Sequence, residues 1–226
     1  MNNPIKCVIF DCDGTLVDSE ILCCQALVNI FNRLGVRYSL SEATNRFEGG
    51  KLADILASAS QDAGVSIPLD TLEPLYREEV TRLFELDLKP MLGARDLLEF
   101  LMANRIDFCV ASNGPRSKII HSLKLTHLEQ YFTGNIFSAF DTNSWKPEPD
   151  LIRYSAMNMG YTLSECVYVD DTLKGVEAGI RAGVKTFQLV NSSTSSIYDD
   201  VETLPDLPSL QHWLSAQHNL LNVSLG

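Results

Sequence analysis

Val8-Ile9-Phe10-Asp11-Cys12-Asp13-Gly14-Thr15-Leu16 is an apolar run that ends in two carboxylates at i and i+2, with a glycine directly after them. A strand buried on both faces of a parallel sheet reads as continuous hydrophobics. Val8 to Phe10 therefore predicts such a strand, with Asp11 and Asp13 just past its carboxyl end. Open α/β sheets bind their ligands on that rim. Gly14 allows the backbone a sharp turn and a close approach to a ligand, and the Thr15 hydroxyl suits an anion. Alone, the stretch also fits a strand closed by a polar turn; three stretches downstream bear on the choice.

Beyond this strand, apolar residues recur at helical spacing over 18–34, with Asp18 or Ser19 as the cap and Gly35 as the stop. Further helices are predicted over 41–47, 51–63 and 70–86, the last opening on Asp70 as an acidic cap. Four helices thus follow one strand, and no second strand is predicted before residue 88. A small all-helical domain inserted after the first strand accounts for this break in alternation. The expected division is a core of residues 1–16 and 88–226 with a helical insert of residues 17–87.

Alternation then resumes. A helix over 93–103 precedes a buried strand over 107–111 that ends at Ser112-Asn113-Gly114. A helix over 115–124 opens on Pro115, as first helical turns favour. A short strand over 135–138 and a polar loop lead to Lys146-Pro147, followed by a helix over 149–159. The strand 166–169 ends at Asp170-Asp171-Thr172 and feeds a helix over 173–182. A strand over 185–190, a Ser-rich surface loop over 191–200 and a helix over 209–216 complete the chain. The predicted fold class is α/β, a doubly wound parallel sheet with helices on both faces.

Composition narrows the partners. The 226 residues are 45% hydrophobic and 21% charged, ordinary for a globular protein with a real core. A net charge of −11 disfavours nucleic acid or an anionic membrane as partner. No apolar run approaches the roughly 20 residues of a membrane span. The start Met1-Asn2-Asn3-Pro4 lacks the basic region of a signal peptide, so a cytoplasmic location is expected. Cys7, Cys12, Cys23, Cys24, Cys109 and Cys166 have no zinc-type spacing and read as reduced, small core residues.

Parallel strands present their carboxyl ends on one rim, which brings together Asp11 and Asp13, Ser112 and Asn113, Lys146, and Asp170 and Asp171. Carboxylates gathered so closely repel, so a cation accompanies them or some are protonated. All-oxygen ligation suits Mg²⁺, which often binds beside a substrate phosphate. Lys146 is a point charge suited to a phosphoryl oxygen, and Ser112 a compact donor.

Asp11-x-Asp13-Gly14-Thr15, Ser112-Asn113, Lys146-Pro147 and Asp170-Asp171, in this order, resemble the four motifs of the haloacid dehalogenase-like superfamily. The resemblance covers nearly the whole chain. The insert resembles the helical cap of the subgroup that contains phosphoglycolate phosphatases and β-phosphoglucomutase. Residues 11–20, 111–115 and 145–150 resemble the bacterial 6-phosphogluconate phosphatases of that subgroup.

The resemblance implies a Mg²⁺-dependent phosphatase acting on a small phosphorylated sugar or sugar acid, working as a monomer or weak homo-oligomer. It makes Asp11 the nucleophile that accepts the phosphoryl group. Asp13 becomes the acid that protonates the leaving oxygen and then the base that activates water, its backbone carbonyl serving the metal. Asp171 aligns with the metal-ligand acid, and Asp170 is a second ligand or a partner that holds the first. Ser112, Asn113 and Lys146 would hold phosphoryl oxygens, helped by the amides after Asp11. Arg46, Lys51, Gly49 and Gly50 lie on a loop that faces the site in similar caps; ordinary surface charge explains the two cations equally well. A phosphomutase forms the same aspartyl-phosphate and is the alternative within the fold. A phospho-aspartate receiver module is the alternative outside it, but receivers are about half this length and lack the insert.

Overall fold

The structure, a computed structural model, describes residues 4–46, 51–190, 198 and 201–224, with side chains described for these except Arg46 and residues 218–224. Six strands form one parallel sheet: β1 (Cys7–Phe10), β2 (Asp107–Ser112), β3 (Ile136–Ser138), β4 (Cys166–Asp170), β5 (Lys185–Leu189) and β6 (Glu202–Leu204). Their spatial order is β3-β2-β1-β4-β5-β6. The chain winds outward from β1 in both directions, so the switch point of the sheet lies at β1, where doubly wound folds open a crevice.

Ten α-helices accompany the strands among the described residues. Four follow β1: α1 (Glu20–Arg33), α2 (Leu40–Arg46), α3 (Leu52–Asp62) and α4 (Leu69–Asp87). The others are α5 (Ala94–Ala103), α6 (Arg116–Leu125), α7 (Ala139–Thr142), α8 (Asp150–Asn158), α9 (Leu173–Ala182) and α10 (Leu207–Ser224). The chain leaves for the four-helix insert and returns from it through two adjacent segments. Asp18 N donates to Lys89 O at 2.9 Å and Met91 N to Leu16 O at 2.9 Å.

Alternate strand residues pack to opposite faces, as the period of two requires. Val8, Phe10, Val110, Val167 and Val169 join one apolar cluster, while Ile9, Cys109, Ala111 and Tyr168 join the other. The first cluster runs on without a break through Leu27, Phe31, Leu56 and Leu72 of the insert. Within the insert the buried Glu79 carboxylate accepts from Asn29 at 2.6 Å and from Arg82 at 2.7 Å, with Arg33 at 3.4 Å, tying α4 to α1.

Several local details differ from the sequence-based expectation. α4 begins at Leu69 behind Pro68, and no side chain caps it, so Asp70 sits inside the first turn instead of capping. Ser19 stands at the cap of α1, yet its hydroxyl donates to Asp13. The loop after β3 contains α7, capped by Ser138 and Asp141; that Ser-x-x-Asp spacing is a capping signature readable in the sequence. β6 and the extension of the last helix to Leu207–Ser224 were also not expected. The Ser-rich segment falls almost entirely outside the described residues, as do Gly49 and Gly50.

Candidate active site

Register carries the acids to one place. Phe10 pairs with Val110 on one side and with Val169 on the other, and Asp11 N donates to Val169 O at 2.9 Å. One step further along β1 and β4 stand Asp11 and Asp170, and two steps past Val110 on β2 stands Ser112. Gly14 has φ +79°, and a Cβ there would collide with the Asp171 carboxylate, so only glycine allows the turn to pass beneath it. Gly175 does the same for Asp170: any Cβ at that position of α9 would run into its carboxylate.

Lys146 forms the floor. Its ammonium reaches Asp11 Oδ1 at 2.6 Å and Asp170 Oδ2 at 2.9 Å, and the side chain is almost wholly buried. Burial alone would pull this ammonium down, but Asp11 and Asp170 hold it above its usual range. Its backbone is clamped from the neighbouring strand end. Asn113 Oδ1 accepts from Lys146 N at 2.9 Å, and Asn113 Nδ2 donates to Lys146 O at 3.5 Å. Asn113 was expected to help hold phosphoryl oxygens; its carboxamide is engaged in positioning the lysine.

Asp11, Asp170 and Asp171 offer oxygens that all lie within 4.8 Å of one another. One ammonium does not neutralise three carboxylates. Burial pushes Asp11 up to about 7, with Asp170 and Asp13 adding to the effect and Lys146 opposing it. Burial, then Asp170 and Asp11, push Asp171 well above the usual carboxylate range. A hard cation would relieve this repulsion, and the all-oxygen donor set fits one. Asp170 is the most engaged of the three: Tyr168 Oη, Thr172 N and Thr172 Oγ1 donate to it besides Lys146. Asp171 accepts from Thr15 Oγ1 at 2.9 Å. Thr15 is fully buried, so its hydroxyl supports this acid and does not face an incoming anion as expected.

Asp13 stands apart from the three. Its Oδ1 accepts from Ser19 Oγ at 2.9 Å, and its Oδ2 from Lys118 Nζ at 2.5 Å. Lys118 was not singled out in the sequence, and its pairing spans 105 positions. Its signal was its place in the first turn of α6, where side chains lean back toward the helix start and hence toward the rim. Tyr168 was missed as well. Its position in a fully buried strand meant that the hydroxyl had to find a partner.

A cavity of about 730 Å³ lies between the rim and the insert, lined by Asp11, Asp13, Ser112, Asn113, Lys146 and Asp171 from the core. Tyr76, Arg77 and Phe84 of α4 line the opposite side, with Lys51. The Lys51 ammonium lies 4.6 Å from the centre of the Trp145 ring, which joins the insert to the residue next to Lys146. Thr15 and Asp170 do not line the cavity. Arg46 ends α2, and its side chain is outside the described residues.

Asp11 and Asp13, the buried Lys146 and the acids that end β4 thus share the rim of one doubly wound sheet, beneath the helices that follow β1. The chain belongs to the haloacid dehalogenase-like hydrolase family, whose model matches residues 8–189, and it is a phosphatase-type member. It is 40% identical over 183 residues to the 6-phosphogluconate phosphatase of Escherichia coli, covering 81% of each chain. It is 28% identical to a phosphorylated carbohydrates phosphatase of Thermotoga maritima, over 80% of this chain and 83% of the other. A solved haloacid dehalogenase-like protein from Agrobacterium tumefaciens superposes with a TM-score of 0.79 at 26% identity, over 95% of this chain and 99% of the other. No helix among the described residues is long and apolar enough to cross a membrane.

Proposed function

We propose that this chain is a Mg²⁺-dependent phosphatase of a small phosphorylated sugar or sugar acid, 6-phosphogluconate first among them. The observation that carries the reading is Lys146 bridging Asp11 at the end of β1 and Asp170 at the end of β4, with Asp13 held two residues past Asp11. The relative at 40% identity supports the choice of substrate.

In this reading an Asp11 carboxylate oxygen attacks phosphorus, and the ester bond to the sugar oxygen breaks as the aspartyl-phosphate forms. Asp13 gives its proton to the departing oxygen. It then takes a proton from the water that attacks the aspartyl-phosphate, so that inorganic phosphate leaves and both aspartates are restored. Lys146, Ser112 and the amides after Asp11 hold the phosphoryl oxygens, which is most of what such catalysis demands. Asp11, Asp171 and the Asp13 carbonyl would hold Mg²⁺, with Asp170 steadying Lys146. When bound, the metal would offset the charge of the carboxylates and the phosphate. Residues 17–87 act as a cap over the core of residues 1–16 and 88–226, and discrimination among sugars falls to the cavity between them.

The test is a steady-state screen of phosphorylated metabolites for phosphate release, with Mg²⁺ and after exhaustive chelation. The expected outcome is Mg²⁺-dependent turnover with 6-phosphogluconate ahead of glucose 6-phosphate. Full turnover without metal overturns the metal assignment, and a preference for the neutral sugar overturns the substrate.

A further inference from the structure

Lys118 is the cation nearest to the group that must meet the substrate's ester oxygen. It comes from the core, on the first turn of α6, and not from the insert. Its Nζ donates to Asp13 Oδ2 at 2.5 Å, and that carboxylate is its one hydrogen-bond partner among the described residues. An ammonium carries three N–H donors, so two remain. The side chain lines the cavity and is less than a third exposed. Phe84, from α4 of the insert, lies with its ring centre 5.4 Å from the ammonium, and this buried ring limits where the charge can swing.

We propose that Lys118 is a specificity-determining residue that binds an oxygen on the carbon adjacent to the phosphorylated one, so that the site selects phosphate esters of polyols and hydroxy acids over simple alkyl phosphates. The inference rests on the phosphatase reading and adds a determinant to it. If Asp13 Oδ2, the oxygen that Ser19 leaves open, meets the ester oxygen, Lys118 Nζ lies within about 5 Å of that oxygen, the sum of two short hydrogen bonds. An oxygen on the neighbouring carbon is one staggered torsion away from the ester oxygen, within that reach. A simple alkyl chain puts only C–H against a partly desolvated ammonium, which then forfeits water without a replacement acceptor. A hydroxyl or carboxylate oxygen supplies the acceptor. Discrimination of this kind is strong because the penalty falls on the substrate that leaves a protein group unpaired.

The test compares 6-phosphogluconate with its 5-deoxy analogue, which lacks only the oxygen on the neighbouring carbon, in wild type, Lys118→Met and Lys118→Arg. If the screen returns another sugar phosphate as the better substrate, the same pair is built on that sugar. Both members of a pair have the same leaving oxygen, so any effect through Asp13 alone lowers them equally. Wild type should prefer the hydroxylated substrate by about tenfold or more in kcat/KM. Lys118→Met should bring that ratio close to one, and Lys118→Arg should keep most of it. Equal losses on both substrates in Lys118→Met, or a wild type that does not discriminate, overturn the proposal while phosphate release stands. A wild type that releases phosphate from no sugar phosphate overturns the phosphatase reading itself, and this proposal with it.

Discussion

The Thr15 hydroxyl donates to the Asp171 carboxylate at 2.9 Å, joining the turn after β1 to the end of β4 across 156 positions. Partners that orient a metal ligand without touching the metal are worth about 10- to 100-fold in metal affinity. Thr15→Val keeps the shape and removes the donor. Its half-saturating Mg²⁺ concentration should rise about 10-fold or more, while KM at saturating metal stays near wild type. Titration of activity with Mg²⁺ at fixed substrate checks this. A rise in KM alone would return Thr15 to the role of anion ligand.

Asp171→Asn should abolish turnover and yet stabilise the metal-free protein near neutral pH. The folded-state carboxyl is raised well above its unfolded value by burial and by Asp170 and Asp11. As pH climbs past about 4, the unfolded chain gives up this proton while the folded chain keeps it, so wild type loses stability with rising pH. The asparagine variant has no such loss. In chelator its melting temperature should exceed wild type by about 3 °C or more at pH 7, with the gap closing toward pH 4. Excess Mg²⁺ should reverse the order at pH 7, and thermal melts at both ends of the range decide it.

Asp11→Asn should lower kcat by about 10⁴-fold or more, since an amide does not attack phosphorus. Lys146 keeps its contact with Asp170 in this variant, so the fold should survive. Circular dichroism and single-turnover assays with deamidation excluded check both halves. A variant that keeps a few per cent of wild-type turnover removes Asp11 from the nucleophile's role.

Lys51→Met tests the cation that the insert contributes. Its ammonium lies over the Trp145 ring beside the cavity, so it can serve closure, substrate reading or both. If it reads a carboxylate, kcat/KM should fall about 10-fold more for 6-phosphogluconate than for glucose 6-phosphate. Equal losses on the two substrates assign Lys51 to holding the insert against Trp145.

The rim was legible because β1 and β4 are buried on both faces and each reads as an apolar run leading into an acid. Val8 to Asp11 and Val167 to Asp170 are the examples. The four helices after β1 were legible because four helical patterns in succession break the alternation of the fold. What escaped depends on direction, which composition does not carry. Thr15 was assigned to an anion because a hydroxyl after a glycine turn can face either way, and the fold turns it inward. Asn113 was assigned to the phosphoryl group by resemblance; it lines the cavity, and its carboxamide also bonds the Lys146 backbone. Lys118 escaped because its meaning lies in Asp13, far away in the chain. β6 escaped because three residues at a sheet edge carry too short a pattern.

All six cysteines are free and buried. Hydrogen bonding to neighbouring thiols, then burial, raises Cys7 and Cys166 above the usual thiol range, and burial raises Cys12, Cys23 and Cys24. Thiols held protonated and out of solvent react slowly with electrophiles, so each becomes a clock for the opening that exposes it. Cys23 borders the cavity, so its labelling should report opening at the cavity, and a bound substrate should slow it. Cys7 and Cys166 face each other in register on β1 and β4, and their labelling times the rupture of the sheet. The wild-type chain therefore carries its own two-channel reporter, one for opening at the cavity and the other for unfolding of the sheet.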